Sequence, residues 1–110
     1  MIFDRIEKMS DAVQAAPNIP AETKTELLRL LDGLKSEIAT LADTHTEDAR
    51  SIARFADAST HEATRVDPKP ALTEAALKGL SSSVEGFEIS HPTLVQIVNR
   101  LSVILSNMGV

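Results

Sequence analysis

Two histidines and two carboxylates in this chain stand at spacings that suit metal binding. His45 precedes Asp48 by three residues, and Glu88 precedes His91 by the same spacing. Residues three apart lie on one face of a helix. A Glu-x-x-His pair on one face is the arrangement found in the carboxylate-bridged di-metal sites of helical bundles. These four residues therefore predict, as one alternative, a metal-binding layer within a helical bundle.

The same residues also have simpler interpretations. A polar layer within an apolar seam fixes the register of two helices at some cost in stability. Ser90 and His91 are alternatively placed to bond the backbone carbonyl groups that Pro92 leaves without a donor. The spacing reveals no Ser-His-Asp set, no glycine-rich phosphate loop and no pair of catalytic carboxylates. We therefore expect a protein that is not an enzyme and that uses no cofactor.

Apolar residues at helical spacing run along the chain, and no strand signal interrupts them. The spacing predicts a short first helix over about 2–16, which the segment Pro17–Pro20 ends because proline restricts the residue before it and lacks a backbone donor. No further proline occurs until Pro68. A second, unbroken helix is therefore predicted over about 20–65, with a length of about 65–70 Å.

The second helix carries two kinds of apolar face. A leucine-rich seam comes first, with the members Leu27, Leu31, Leu34, Ile38 and Leu41. Alanines then recur at every seventh residue, namely Ala42, Ala49, Ala56 and Ala63. Alanine at this spacing either allows a neighbouring helix to approach closely or reflects the high helix propensity of the residue.

The last third of the chain has an apolar seam that keeps its phase through Ser90-His91-Pro92. Its members are Leu77, Leu80, Val84, Phe87, Leu94, Val98, Leu101, Leu105 and Met108. Because a loop usually resets such a phase, we predict one helix over about 71–108 that is kinked near Pro92 and ended by Gly109. The alternative is a new helix that Ser90 caps, with Pro92 in its first turn.

Antiparallel packing of the two long helices about Pro68 predicts which residues face each other. The pairs include Ile38 with Val98, Ala56 with Leu80, and His45 with His91. The predicted fold is all-α, a short N-terminal helix plus a long antiparallel helical hairpin, in one domain of residues 1–110. The far arm of the hairpin has only two helices and cannot bury its seam alone. We therefore expect two copies to combine their arms into a homodimeric four-helix bundle.

Composition excludes several classes of function. The net charge is −5, no basic cluster occurs, and there is no Tyr or Trp, so contacts to a phosphate backbone and stacking on bases are both disfavoured. An acidic, aromatic-poor chain without a stretch of about 20 apolar residues also disfavours a membrane partner. The lack of cysteine and the charged N-terminus, which does not resemble a signal peptide, fit a cytoplasmic protein.

The tail of the chain resembles a known family. Phe87-Glu88-Ile89-Ser90-His91-Pro92 and Leu105-Ser106-Asn107-Met108-Gly109 are similar to the Phe-Glu-x-Ser-His-Pro and Leu-Ser-Asn-x-Gly ending of the domain of unknown function 4404. The similarity is specific over 84–110 and weak over the leucine run at 24–34. It implies a bacterial, cytoplasmic, all-helical protein and supplies no activity or site residues.

These observations favour an interaction protein over the other classes. We expect a non-enzymatic, self-associating interaction or scaffolding module, most simply a homodimer. The metal-binding bundle with His45, Asp48, Glu88 and His91 is the alternative function. An accessory subunit whose apolar faces bind an unidentified protein partner is a third possibility.

Overall fold

The computed structural model describes residues 2–17 and 19–108. These residues contain five helices and no strand, so the predicted all-α class is confirmed. The helices are α1 (Ile2–Ala15), α2 (Ala21–Ala42), α3 (Thr46–Ala63), α4 (Pro70–Ser83) and α5 (Pro92–Met108). Asn18 and Gly109, to which the sequence assigns part of a turn and a helix stop, lie outside the described residues.

The first helix, α1, ends close to the predicted position and packs antiparallel to α2. The Lys24 ammonium group on α2 donates hydrogen bonds to the carbonyl oxygens of Gln14 and Ala16, at 3.0 and 3.2 Å. Carbonyls in the last turn of a helix have no partner within the helix, and a cation there is favourable. Glu7 and Lys35 form a second link between the two helices, an ion pair of 3.1 Å.

The prediction of one continuous helix over 20–65 is wrong, because the chain reverses between α2 and α3. Asp43 still has helical dihedral angles, φ −65° and ψ −30°, and the His45 N–H still donates to the Leu41 carbonyl at 2.7 Å. His45 itself leaves the helical region, with φ −136° and ψ 64°. The absence of proline therefore did not guarantee continuity, since a change at one polar residue is enough to turn the chain.

The prediction of one kinked helix over 71–108 is also wrong, because α4 and α5 are separate helices. Gly86 has φ +94°, a conformation that glycine adopts readily and that a helix cannot contain. Pro92 then takes the first position of α5, where a missing N–H has no cost. The alternative with Pro92 in the first turn of a new helix is thus the correct one. The Ser90 hydroxyl lies 3.0 Å from Nδ1 of His91.

The two breaks occur at the same level of the hairpin, so α3 and α4 fold back together along the rest of the chain. Helix α3 lies at the centre and contacts all four other helices. An ion pair of 2.6 Å between Glu26 and Arg100 links α2 to α5. The molecule measures 37 × 23 × 23 Å, far shorter than the extended hairpin of about 65–70 Å that an unbroken helix would form.

Folding back buries the arm that a second copy was expected to cover. Ile52 of α3 and Val84 after α4 are buried within one chain. Ala49, Ala53 and Ala56 are buried as well, and their small side chains let α3 lie close to its neighbours on several sides. Phe55 on the arm remains 40% exposed, but the continuous seam is no longer open, which corrects the physical reason given for self-association.

Candidate functional site

The bundle has two ends of different character. The hinge end is where α2 and α4 end and α3 and α5 begin, and it consists of the segments 43–45 and 84–91. The cavity end is opposite, where α1, α3 and α5 end and α2 and α4 begin. Residues with the chemistry of a site occur at both ends, so each end is described in turn.

At the hinge end, His45, Phe87 and His91 form a cluster of three rings. The centroid of the Phe87 ring lies 5.5 Å from the centroid of each imidazole, and the two imidazole centroids are 6.3 Å apart. The interplanar angles are 88°, 81° and 84°, the edge-to-face geometry that aromatic rings prefer. The predicted encounter of His45 with His91 is therefore present, and Phe87 joins it as an apolar third member.

In the part of the chain that the structure describes, the two histidines are not surrounded by enough carboxylates to form a metal site. Among the described residues, no group of three or more His, Cys, Asp and Glu side chains is placed to hold a metal ion. Glu88 uses its Oε2 to accept a hydrogen bond of 2.8 Å from the Gly86 N–H, because it lies in the loop and not on a helix facing His45. Asp48 lies in the first turn of α3. The sequence-predicted metal layer thus has its two imidazoles together, with Asp48 lining the same groove as His45 and Glu88 bonded within its own loop.

Each histidine is also engaged by the residue before it. The Thr44 hydroxyl lies 2.7 Å from Nδ1 of His45, and the Ser90 hydroxyl lies 3.0 Å from Nδ1 of His91. His45 is exposed and His91 is half-buried. These local bonds and the contact with Phe87 hold the rings at the two chain reversals, which is a structural use of both side chains.

A shallow groove of about 500 Å³ lies between α3 and α4 beside the ring cluster. Asp48, Ser51 and Ser82 contribute polar groups to it, and Phe55 and Gly79 form part of its wall. A Cβ atom at position 79 would collide with the Phe55 ring, so Gly79 is the place where α4 approaches α3 most closely. Its residue type is therefore explained by helix packing.

The cavity end contains a larger space, of about 670 Å³. Its walls include the apolar side chains of Pro17, Ile19, Ile104 and Met108. This volume falls within the range of about 300–1,000 Å³ that is typical of ligand pockets. Proline residues of both connecting segments at this end line the space as well.

The charged residues at this cavity are neutralised by ion pairs. The Arg100 guanidinium donates a hydrogen bond of 2.6 Å to Glu26, which lowers the pKa of the Glu26 carboxyl group below its ordinary value. The same hydrogen bond raises the pKa of Arg100. Arg65, which also lines the cavity, is paired with Glu62 at 2.7 Å. The rim therefore carries no net charge from these two pairs.

Val66 stands at the edge of the cavity and is fully exposed, at 106% of its reference area. Val103, also at the cavity, is 52% exposed. The hinge end has a comparable residue in Ile89, which is 96% exposed. An exposed valine beside a partly apolar cavity is the feature that distinguishes the cavity end, since single exposed apolar residues elsewhere need no explanation.

Sequence reasoning identified the histidine level and missed the cavity end. The sequence did contain a signal for the cavity end, because Pro17 and Pro20 mark one chain reversal and Pro68 and Pro70 mark another. In an up-and-down bundle these two reversals fall at the same end. Val66 lies two residues before Pro68 and after the end of α3, so its side chain does not belong to the apolar face of any helix.

Comparison with known proteins places the chain in a family without adding an activity. The family model described as "Domain of unknown function (DUF4404)" matches residues 2–110, so the chain belongs to that family. No curated protein and no solved structure matches the chain. Within the described residues, no helix is both long enough and apolar enough to cross a bilayer.

Proposed function

We propose that this member of the DUF4404 family is a non-enzymatic, self-associating interaction module whose self-contact is the cavity end. One observation carries the proposal, namely that a fully exposed apolar side chain, Val66, and a cavity of about 670 Å³ with a partly apolar lining lie on the same face. A surface with both a projection and a matching recess can pair with a second copy of itself.

The exposed valine supplies the driving force. Val66 lies in the turn between α3 and α4 and is followed by Asp67 and Pro68, and the proline restricts the backbone of Asp67 beside it. Complete burial of a valine side chain is worth about 1.5–3 kcal/mol. None of this stabilisation is realised in the single chain, and a partner cavity would provide it.

Two-fold symmetry doubles the contact. In an isologous dimer each copy uses the same patch, so each Val66 enters the cavity of the other copy. The net charge of −5 would make two copies repel each other. Glu26 and Arg100 form an ion pair, so these two residues add no net charge to the contact face.

The size of the face predicts a weak and reversible association. The molecule is 23 Å wide in both directions perpendicular to its long axis. Two such faces bury at most about 1,000 Å² together, which is close to the lower limit of specific interfaces. We expect a dimer that forms at micromolar or higher concentration and exchanges rapidly.

The histidine cluster supports a non-enzymatic function. The Nδ1 atoms of His45 and His91 lie against hydroxyl groups of Thr44 and Ser90, and both rings pack on Phe87. These contacts account for both imidazoles as parts of the two chain reversals, without a catalytic role.

Sedimentation equilibrium over a range of concentrations tests the proposal. Val66→Asp places a carboxylate in the proposed contact and should weaken the dimer by at least about a hundredfold, since two valine contacts are lost. Ile89→Asp is the matched control, because Ile89 is equally exposed at the hinge end, and it should leave the dissociation constant within about twofold. A wild-type chain that stays monomeric at about 1 mM, or equal weakening by both variants, would contradict the proposal.

A further inference from the structure

We propose that α3 and α4 form an exchangeable unit, which in a second form of the protein packs against the body of another copy of this chain. The body consists of α1, α2 and α5. In this open form α2 continues into α3 as one helix, and the partner chain supplies the body that α3 leaves. Exchange of the unit is distinct from the cavity-end contact and does not depend on it.

The first reversal occupies only residues 43–45. Asp43 and Thr44 donate to carbonyls three residues back, the His45 N–H donates to Leu41 at 2.7 Å, and the hydrogen bonds of α3 start with Ala49 N–H donating to the His45 carbonyl at 2.9 Å. The Thr46 hydroxyl donates to the Ala42 carbonyl at 2.9 Å, four residues back as along a helix. Returning His45 from φ −136° and ψ 64° to the helical region would join the two helices.

The second reversal is centred on Gly86. Its φ of +94° is the one positive value among the described residues. Hydrogen bonds of the helical i to i−4 type resume soon afterwards, from His91 N–H to the Phe87 carbonyl at 2.8 Å and from Val95 N–H to the His91 carbonyl at 3.3 Å. A rotation about Gly86 therefore opens this connection with few other changes.

The apolar stripe keeps its phase across both reversals. On one side of the hairpin, the buried residues Ile38 and Leu41 precede His45, and Ala49 and Ile52 follow it. On the other side, Leu80 and Val84 precede the loop and Leu94 and Val98 follow it. An extended hairpin with the same residues facing inward requires this phase, and the folded-back chain is compatible with it, so the same inward faces serve both forms.

Opening the hinges would expose the faces that α3 buries against the body. Ala53 and Thr60 are buried, and Asp57 of α3 forms an ion pair of 2.9 Å with Arg5 of α1. The surface complementary to this face belongs to this same sequence, on α1, α2 and α5. A second copy reproduces every one of these contacts, which is the basis of domain swapping.

The absence of cysteine from the chain allows a direct test by cross-linking. One chain carries Arg5→Cys and the other carries Asp57→Cys, and the two are refolded together from denaturant at high concentration and treated with a short bis-maleimide. These positions lie on the body and on the exchangeable unit, so a covalent two-chain product forms when the unit of one chain packs on the body of the other.

A matched control pair lies on the body alone. Glu7 and Lys35 also form an exposed ion pair between helices, α1 and α2, and both helices remain in the same chain in either form. Chains with Glu7→Cys and Lys35→Cys should therefore give little two-chain product under the same conditions. Circular dichroism of all four variants confirms that they fold.

Two further variants distinguish exchange of the α3–α4 unit from association through the cavity end. Gly86→Ala, at which an added Cβ meets no atom within 4 Å, disfavours the positive φ of the closed loop and should raise the yield of the Arg5/Asp57 product about fivefold. Val66→Asp in both chains should leave the yield unchanged, since it affects the cavity-end contact alone. Equal yields from the two cysteine pairs, or no increase with Gly86→Ala, would overturn the exchange.

Discussion

The chain reverses its direction twice at each end of this bundle, and the two ends differ in how the reversals are built. At the hinge end both reversals lack proline except at the start of α5, and three rings pack across them. At the cavity end both reversals contain paired prolines, and a space of about 670 Å³ remains between the helix ends. The hinge end is thus closed by side-chain packing, whereas the cavity end is left open.

The difference shows that the residues in the connecting segments determine how each end of the bundle is packed. At the hinge end the loop that contains Gly86 brings Phe87 and His91 against His45, so side chains fill the end of the bundle. At the cavity end the proline-containing connections leave Val66 exposed beside unfilled space. We propose that the first end opens for exchange of α3 and α4 and that the second end contacts a second copy.

The largest effect that would test this comparison is the loss of the ring at the hinge end. Phe87→Ala removes the contacts with His45 and His91 from a half-buried position and should lower the free energy of unfolding by about 2–3 kcal/mol. Val103→Ala at the cavity end, where the side chain is 52% exposed, should change it by less than about 0.5 kcal/mol. Urea denaturation measures both. Equal effects would mean that the two ends are closed to the same degree.

A smaller effect is expected where α4 crosses α3 beside the hinge end. Gly79→Ala places a methyl group against the Phe55 ring, and the ring must move outward from its 40% exposed position. The expected loss is about 1–2 kcal/mol, a typical cost of overpacking. The double variant Gly79→Ala with Phe55→Ala should recover part of this loss. If Gly79→Ala instead stabilises the protein, as its higher helix propensity alone would predict, the close crossing is incorrect.

The smallest effect concerns the ion pair at the cavity end. Arg100 lowers the pKa of Glu26, so the folded state binds this proton more weakly than the unfolded state does. The resulting stabilisation is present above the ordinary Glu value of 4.5 and is lost as the pH falls through the lowered folded pKa. Wild type and Glu26→Gln should therefore differ near neutral pH and converge in acid. An NMR titration that places Glu26 at or above its ordinary pKa would contradict this.

The sequence predicted the all-α class and the inward helix faces well, because both depend on local periodicity. Leu27, Leu34 and Ile38 are buried as the seam indicates, and so are Leu94 and Leu101. The encounter of His45 with His91 followed from the hairpin register alone. These features persist whether or not the hairpin folds back, since each depends on which residues share a helix face.

What the sequence could not predict was the outcome of two competing arrangements. A continuous helix through His45 and a reversal there keep the same apolar phase, so periodicity cannot distinguish them. Which of the two arrangements forms depends on the free energy gained when α3 packs against α1 and α5, and these contacts involve residues distant in the sequence. The expected dimer was tied to the extended form, and the carboxylate of Glu88 was assigned to a helix that ends at Ser83.

The cavity end is the central claim, and an NMR dilution series tests it most directly. Backbone amide shifts of the wild-type chain are followed from about 10 μM to 1 mM, the range expected for so small an interface. We predict concentration-dependent shifts at Val66, Val103 and Ile104 around the cavity, with His45 and Ile89 unchanged. Shifts confined to the hinge end, or none at either end, would contradict the account.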